Sequence, residues 1–304
     1  MFQRLSLLFE TIKFAHSVFA LPFALLAMIV AAGGWPPWRV FLLVLLCMVS
    51  ARSAAMAFNR WVDRASDAAN PRTSGRPTAT GLVSPEFLLF FVAVCCAIFC
   101  IGAWLLNWFC FACAVPVLVI LLGYSYSKRF TSLCHFWLGL SLGLAPAGAH
   151  VAVRGDAWPL PGLGLRWGAP LELFPVILGL AVLFWVAGFD LIYACQDCAV
   201  DMRDPRAHSL AKKLGVRRAL RLSSALHFLA AVLLALAGVY AGLGVWYYGA
   251  FALVSALLLY EHWIVSADDL SRVNTAFFTL NGAVSLLLFV AVLLERVILS
   301  SPGR

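Results

Sequence analysis

Long apolar segments constrain this chain more than any other feature of its sequence. Nine such stretches follow one another, and each has a length within the range of about 17–25 residues that crosses a bilayer as a helix. They run at 16–34, 39–60, 86–106, 108–127, 134–153, 172–195, 220–241, 246–264 and 275–297. Backbone amides without partners are costly in lipid, so these segments must be helical. The sequence therefore predicts an all-α integral membrane protein with nine transmembrane helices.

The overall composition agrees with this class. Of 304 residues, 63% are hydrophobic and 12% are charged, and the mean hydropathy is +0.94. Soluble domains carry about 25% charged residues. No linker or second soluble domain interrupts the pattern, so we expect a single domain over residues 1–304. The cysteines lie mostly within the apolar segments, where the two CxxC pairs are best explained as packing residues.

Basic residues are distributed unevenly between the two sides of the predicted bundle. With a cytoplasmic N-terminus, most of them fall in inner segments, above all in 59–85 and 196–219. The positive-inside rule then predicts a multi-pass protein of the inner (plasma) membrane, with the N-terminus cytoplasmic and the C-terminus outside. The same distribution accounts for the net charge of +8 without a nucleic-acid partner.

An acidic cluster ends the second apolar segment. In "NRWVDRASDAANPRTSGRP", Asn59, Asp63 and Asp67 recur every four residues and therefore share a helical face. Carboxylates at that spacing repel each other and destabilise an isolated helix. This stretch therefore requires a counter-charge.

A second acidic cluster ends the sixth apolar segment, in "FDLIYACQDCAVD". Asp197 and Asp201 are again four apart, and Tyr193 and Asp190 precede them at helical spacing, so all four share a predicted face. Acids at membrane depth are expensive, and by default they indicate a functional site.

Two carboxylate pairs on the same side of a membrane indicate a magnesium–diphosphate site. Mg²⁺ prefers hard oxygen ligands and takes few from protein, completing its shell with water and substrate phosphates. Arginine and lysine would hold the remaining phosphate oxygens. The candidate cations are Arg72, Lys128 and Arg129. The alternative is a set of solvated loop charges joined in salt bridges.

These motifs resemble those of the UbiA superfamily of intramembrane aromatic prenyltransferases. "NRWVDRASDAANPRTSGRP" is similar to its NxxxDxxxDxxNxRTxxRP signature, "YACQDCAVD" to its YxxxDxxxD motif and "YSYSKR" to its YxxxKR segment. The resemblance implies a nine-helix, U-shaped bundle with a cavity open laterally to lipid. It also implies a cytoplasm-facing active site and dependence on Mg²⁺.

Residue roles follow from the same resemblance. The metal–diphosphate ligands would be Asp63, Asp67, Asp197 and Asp201. Asn59 would orient the first pair, and Arg72, Lys128 and Arg129 would bind diphosphate. Tyr193 would lie near the reacting carbon and Asp190 near the acceptor. The implied partners are a polyprenyl diphosphate, an aromatic acid and membrane lipid, with no nucleic acid and no protein partner.

Other segments favour one branch of that family. "IKFAHSVFALPFAL", "HSLAKKLG" and "EHWIVSADDLSRVNTAFFTLNG" resemble 4-hydroxybenzoate polyprenyltransferase-like proteins, some of which belong to menaquinone synthesis (the MqnP type). The segment "MRDPRAHS" after Asp201 departs from the ubiquinone branch, which leaves a naphthoate-type acid open as the acceptor. The predicted reaction is prenyl transfer to an aromatic acid in quinone synthesis.

Two alternatives remain at this stage. The first is prenyl transfer to haem, chlorophyllide or a glycerol phosphate. The second is a transporter, which would place its acids at the bilayer midplane rather than at helix ends. The sequence does not indicate the prenyl chain length or the oligomeric state, nor does it decide whether Lys13, His16 or His208 takes part.

Overall fold

The computed structural model describes residues 19–71, 73–155, 170–203 and 208–299, with only the backbone described at 170–172. Over these ranges the chain is helical and contains no β-strand. The α-helices are α1 Leu21–Ala32, α2 Trp38–Ala69, α3 Pro85–Leu106, α4 Trp108–Ser127, α5 Cys134–Arg154, α6 Pro170–Ala194, α7 Cys198–Asp201, α8 Leu210–Leu214, α9 Val216–Tyr240, α10 Val245–Ile264 and α11 Asn281–Leu293. A 3₁₀ turn, Cys195–Asp197, precedes α7, and π-helical turns at Thr275–Leu280 and Leu294–Ile298 flank α11.

Seven of these stretches are long and apolar enough to cross a membrane. They are α2, α3, α4, α5, α6 with its continuation to Asp201, α9, and α11 with its flanking π turns. Helix α10 has 20 residues but lies outside this set, and α1 has 12. The predicted all-α class is confirmed. In the described ranges, length and composition support seven crossings rather than the predicted nine.

Helix α1 begins and ends at residues suited to those positions. Pro22 lies in its first turn, where the backbone N–H groups have no intrahelical acceptor and proline is tolerated. Gly33 follows the last residue with a φ of 68°, the left-handed conformation that glycine adopts without a steric penalty. The proline within the first predicted segment therefore marks a helix start and does not interrupt the helix.

Helix α2 reaches well beyond the bilayer core. Its 32 residues extend about 48 Å, whereas the hydrocarbon core of a membrane is about 30 Å thick. Asp63 and Asp67 lie in its last two turns. The first acidic cluster is therefore carried on a rigid extension of a membrane helix, as the sequence predicted.

Helix α6 is the centre of the largest apolar core, where it packs mainly against α5 and α9. Trp185 and Phe189 of α6 are fully buried in that core, together with Phe23 of α1 and Tyr247 of α10. The residues that follow this core on α6 include Asp190 and Tyr193. Dense packing therefore fixes the base from which the second acidic cluster projects.

Small residues bring α5 and α6 into direct backbone contact. A Cβ atom at Gly143 would overlap the carbonyl oxygen of Gly179, and one at Gly139 would overlap that of Leu183. A Cβ at Gly179 would lie 2.8 Å from the Gly143 carbonyl oxygen. Membrane helices associate largely through such close packing of small residues. The α5–α6 distance is therefore set by these glycines.

We expect Gly143→Ala to destabilise the protein by about 1–3 kcal/mol, because the added methyl group meets backbone rather than a movable side chain. The matched control is Gly249→Ala in α10, where no atom lies within 4 Å of the new Cβ. That control should be neutral or slightly stabilising, since alanine is the better helix former. Thermal unfolding in detergent, followed by loss of the monodisperse elution peak, measures both variants. Equal melting temperatures would contradict the glycine contact.

A polar cluster is buried between α9, α10 and α11. The rings of His227 and His262 share a hydrogen bond of 3.0 Å between Nδ1 and Nε2. Nδ1 of His227 also lies 3.6 Å from one carboxylate oxygen of Glu261. The other oxygen of Glu261 accepts from the Asn281 amide at 3.0 Å. The Asn281 amide also donates to the carbonyl of Ala276 in the π-helical turn. The cluster therefore joins three helices and satisfies a π-turn carbonyl, in agreement with the packing role expected for polar groups inside membrane bundles.

Candidate active site

A cavity of about 1330 Å³ extends between the helices. The predicted site residues that line it are Asn59, Asp63, Asp67, Lys128, Arg129, Asp190, Tyr193, Asp197 and Asp201. His208 lines it as well. Arg72, Lys13 and His16 lie outside the described residues. The fold thus brings together, in one cavity, groups that are distributed over more than 140 residues of sequence.

The first acidic cluster carries its own counter-charges. The Asn59 amide donates to the Asp63 carboxylate at 2.9 Å. Asp67 accepts from Arg60 at 3.3 Å through one oxygen and from Arg76 at 2.7 Å through the other. Arg60 and Asp67 are both buried. The counter-charge that the sequence required is therefore supplied locally, by two arginines that were not among the predicted site residues.

The second acidic cluster lies where α6 changes its geometry. The α-helix ends at Ala194 and continues as the 3₁₀ turn that contains Asp197, before α7 ends at Asp201. The single regular helical face predicted for this segment is therefore interrupted, because a 3₁₀ turn rotates successive side chains differently from an α-helix. Asp197 and Asp201 still line the common cavity, and Ser209 donates to Asp201 at 3.4 Å.

Two cations between the acidic clusters come from the end of α4. Lys128 lies in the cavity wall, and its carbonyl accepts from the backbone N–H of His208 at 2.8 Å, which joins His208 to the end of α4. Tyr124, Asp190 and Asp63 raise the pKa of Lys128, so it stays protonated at neutral pH. Arg129 donates to the Val62 carbonyl at 2.8 Å and so connects α4 to the acidic end of α2.

Aromatic rings line the cavity below the second acidic cluster. The ring of Tyr193 lies 4.4 Å, between centroids, from that of Phe277 on the π-helical turn. Phe189 and Phe19 contact the same Phe277 ring at 5.1 and 5.6 Å. Aromatic faces stabilise a nearby cation electrostatically. The π-helical turn therefore contributes a ring beside Tyr193 that the sequence motifs did not single out.

Two further residues of the cavity were missed by the sequence analysis. His135, at the start of α5, contacts Asp190 with 2.6 Å between Nδ1 and the carboxylate oxygen. Arg52 lies in the middle of α2, and its buried Nε has no hydrogen-bond partner among the described residues. Both residues line the cavity. Arg52 did carry a signal, since a charge within an apolar span generally faces the bundle interior; His135 had none beyond its type.

The family of the chain follows from comparison with known sequences. The model of the UbiA prenyltransferase family matches residues 20–283. The chain belongs to the UbiA prenyltransferase family. The resemblance inferred from the motifs is thus confirmed, and the protein is a membrane-embedded prenyltransferase.

Individual relatives of this UbiA chain point the same way. It is 29% identical over 283 residues to the 4-hydroxybenzoate octaprenyltransferase of Nitrosomonas eutropha, covering 88% of each chain. It is 32% identical over 268 residues to that of Xanthomonas campestris pv. campestris, covering 88% of this chain and 83% of the relative. Both relatives are named for the transfer of an octaprenyl group to 4-hydroxybenzoate.

Solved structures share the UbiA fold. A UbiA homolog from Aeropyrum pernix K1 matches with a TM-score of 0.82 at 32% identity, covering 92% of this chain and 98% of the homolog. A UbiA homolog from Archaeoglobus fulgidus bound to GPP and Mg²⁺ matches with a TM-score of 0.66 at 17% identity, covering 94% and 99%. The second comparison extends the fold similarity to a distant member.

The carboxylates of this UbiA site suit a metal of the magnesium class. Among the described residues, no three histidine, cysteine, aspartate or glutamate side chains are close enough to hold one ion together. Mg²⁺ does not require three, because it binds through one or two carboxylates and takes water and substrate phosphates for the rest. Hard carboxylate oxygens on both sides of one cavity therefore fit Mg²⁺ that arrives with a diphosphate.

Proposed function

We propose that this protein transfers a polyprenyl group from a polyprenyl diphosphate to an aromatic acid, in an Mg²⁺-dependent reaction of ubiquinone or menaquinone synthesis. The observation that carries the proposal is the polarity of the cavity. Two aspartate clusters and the cations Lys128 and Arg129 occupy one end, and apolar side chains such as Val44, Phe99 and Leu106 line the rest. A polyprenyl diphosphate likewise has a charged end and a long apolar tail.

The length of the cavity wall supports a long prenyl tail. Lining residues on α2 run from Val44 to Asp67, which corresponds to about 35 Å along the helix. The hydrocarbon core of a bilayer is about 30 Å thick. A tail bound along this wall would therefore extend through most of the membrane while its diphosphate remained at the polar end.

The diphosphate end has the groups that its chemistry requires. Asp63 and Asp67 on one side and Asp197 and Asp201 on the other would hold Mg²⁺ with the diphosphate, with Asn59 orienting Asp63. In this proposal Arg72, Lys128 and Arg129 bind phosphate oxygens. Magnesium, when bound, supplies charge that stabilises the departing diphosphate.

Tyr193 and its neighbours are suited to the allylic carbon that the diphosphate leaves. As that carbon becomes positively charged, the rings of Tyr193 and Phe277 would stabilise it through their π faces. Both rings line the cavity just below the acidic clusters. The aromatic acceptor attacks this carbon, so its ring must lie on the same side.

Arg52 supports an acid as the acceptor. Arg52 is half-buried, and its buried Nε has no hydrogen-bond partner among the described residues, which is costly unless the guanidinium binds an anion. It lies below the diphosphate end on the same helix, which would allow its guanidinium to bind a ring carboxylate through two hydrogen bonds. The names of the relatives, 4-hydroxybenzoate octaprenyltransferase, favour this substrate class.

The membrane arrangement belongs to the same proposal. We assign α1 and α10 as further crossings, which makes nine, and the acidic ends of α2 and α6 to the cytoplasmic side, where most of the basic loops lie. The whole chain then acts as one domain of the inner membrane, with its cavity open to lipid. Acids at helix ends, rather than at the midplane, argue against a transporter.

Prenyl transfer in membranes from expressing cells tests the proposal. Labelled polyprenyl diphosphate is supplied with Mg²⁺ or with EDTA, and 4-hydroxybenzoate and a hydroxynaphthoate are offered in parallel. We expect a prenylated aromatic acid in the Mg²⁺ sample only. Product from 4-hydroxybenzoate assigns ubiquinone-type chemistry, and product from the naphthoate alone assigns the menaquinone type. Transfer to neither acid, with transfer to a glycerol phosphate instead, would overturn the acceptor assignment.

A further inference from the structure

We propose that His135 accepts the proton of the acceptor's hydroxyl group and that Asp190 is the positioning residue that holds His135 for this step. The inference rests on the proposed function, because it concerns the aromatic acceptor. It adds a proton-accepting residue that no sequence motif indicates. Its basis is a contact between two helices, α5 and α6, at the polar end of the cavity.

The contact defines the form of the imidazole ring. A carboxylate only accepts hydrogen bonds, so at 2.6 Å the Nδ1 atom of His135 carries the proton that it donates to Asp190. In the neutral imidazole Nε2 is then the basic nitrogen, and it has no hydrogen-bond partner among the described residues. His135 is 1% exposed, yet it belongs to the cavity wall. Asp190 thus plays the orienting role that carboxylates play for many catalytic histidines.

The neighbours of the pair place it beside the diphosphate end. Tyr124 and Lys128 of α4 and Cys134 of α5 are the ionisable groups in electrostatic contact with it. Lys128 also interacts with Asp63 of the first acidic cluster. One cation thus interacts electrostatically with both the first metal–diphosphate carboxylate and Asp190. An acceptor with its carboxylate on Arg52 would be held in the cavity that all of these groups line.

A purely structural contact does not explain the arrangement. If the pair only joined α5 to α6, the buried Nε2 would be left without a partner at a cost of about 1–3 kcal/mol. The helices are already joined at Gly139 and Gly143. Other buried side-chain atoms of the described residues also lack a partner, including both ring nitrogens of His150, but of these two histidines only His135 lines the cavity. A hydroxyl group of the acceptor supplies the missing partner.

The proposed step balances as follows. The acceptor's O–H bond breaks and its proton moves to Nε2 of His135, while the ring carbon ortho to that hydroxyl forms a bond to the allylic carbon. The bond from the allylic carbon to the diphosphate oxygen breaks, and the electron pair leaves with the diphosphate. The resulting ring ketone then loses the proton of the substituted carbon to the diphosphate and regains one on oxygen from His135, which restores both the phenol and the neutral imidazole.

The step is tested by substituting His135 and by comparing acceptors whose hydroxyl groups have different pKa values. His135→Gln and Asp190→Asn are compared with wild type on 4-hydroxybenzoate and on 3-fluoro-4-hydroxybenzoate, or on the hydroxynaphthoate and its fluorinated analogue if that is the acceptor. Fluorine beside the hydroxyl lowers its pKa, so a larger fraction of the acceptor is already ionised and the reaction depends less on a base. We expect His135→Gln to lower kcat by about 10²–10⁴-fold on the plain acceptor, the usual contribution of general-base catalysis. On the fluorinated one the loss should be at least tenfold smaller.

Controls separate this role from a structural one. KM for the polyprenyl diphosphate should not change in either variant. His150→Gln removes a second buried histidine, at the far end of the same helix and outside the cavity wall, and should leave kcat within about twofold, as for substitutions away from the reaction. If His135→Gln does not elute as a monodisperse protein, the Asp190→Asn variant provides the test. It retains a hydrogen bond to Nδ1 of His135 but no longer fixes the tautomer of the imidazole ring.

Each outcome bears on one of the two proposals. A loss that shrinks on the fluorinated acceptor supports the proton transfer. An equal loss on both acceptors, or no loss, would overturn it while leaving the proposed function intact. Failure of the wild-type protein to prenylate any of these acids would overturn the proposed function and this inference together.

Discussion

Asp63→Asn is expected to lower Mg²⁺-dependent prenyl transfer by about 10²–10³-fold, the loss found when one charge-stabilising group at a reaction centre is removed. Asp63 lines the polar end of the cavity and is held by the Asn59 amide at 2.9 Å. The new amide is the same size and can still hydrogen-bond to Asn59, so the helix should not be disturbed. The charge available to Mg²⁺ and diphosphate falls by one.

Titration of Mg²⁺ distinguishes this effect from a general loss of activity. The half-saturating Mg²⁺ concentration should rise in Asp63→Asn, and melting temperature in detergent should stay near that of wild type. Asp268→Asn is the matched control, because the Asp268 carboxylate is exposed and forms a surface ion pair with Arg217 at 3.7 Å. An Asp63→Asn protein with wild-type turnover and Mg²⁺ dependence would remove Asp63 from the proposed metal site.

Arg52→Leu is expected to raise KM for the aromatic acid by about 10–150-fold, with KM for the polyprenyl diphosphate unchanged. Hydrogen bonds to a charged group contribute about 1.5–3 kcal/mol, and each 1.4 kcal/mol corresponds to about a factor of ten. The split between the two substrates is the decisive feature, since Arg52 lies in the wall of the cavity away from the acidic clusters. Leucine should be accommodated, because it removes a half-buried charge.

An uncharged acceptor gives a direct test of the arginine's partner. Wild type should prefer 4-hydroxybenzoate to 4-hydroxybenzamide, and Arg52→Leu should lose that preference. Arg39→Leu is the control on the same helix, where the arginine is exposed and does not line the cavity. Retention of the full preference for the acid in Arg52→Leu would show that another cation binds the carboxylate.

The parts of the fold that could be predicted from the sequence are those encoded locally. Apolar length gives the helices, since lipid permits no other backbone structure. The aspartates at the end of α2 and α6 could be recognised because regular spacing within one helix determines a shared face. That both clusters would meet in one cavity was inferred from their common membrane side. Helix α10, Val245–Ile264, matches the predicted segment 246–264 to within one residue, although its composition leaves it outside the seven spans.

Contacts between distant segments could not be predicted in this way. Asp67 pairs with Arg60, seven residues earlier on the same face of α2, but also with Arg76, nine residues later and beyond the end of the helix, so this second pair depends on the course of the following loop. His135 and Asp190 are 55 residues apart and meet only because α5 packs on α6. Spacing within one helix carries no information about such pairs.

The glycine contact between α5 and α6 links the stability of the bundle to the geometry of its reaction centre. Gly143 lies about 12 Å along α5 from His135, and Gly179 about 16 Å along α6 from Asp190. Both helices are stiff over such distances, so a larger side chain between the glycines would push the two helices apart at their polar ends as well. The active-site pair would then separate although no residue of the cavity had changed. Substitutions within the membrane can thus change the catalytic rate at a distant site. As the residue at 143 is made larger, turnover should fall before the protein fails to fold.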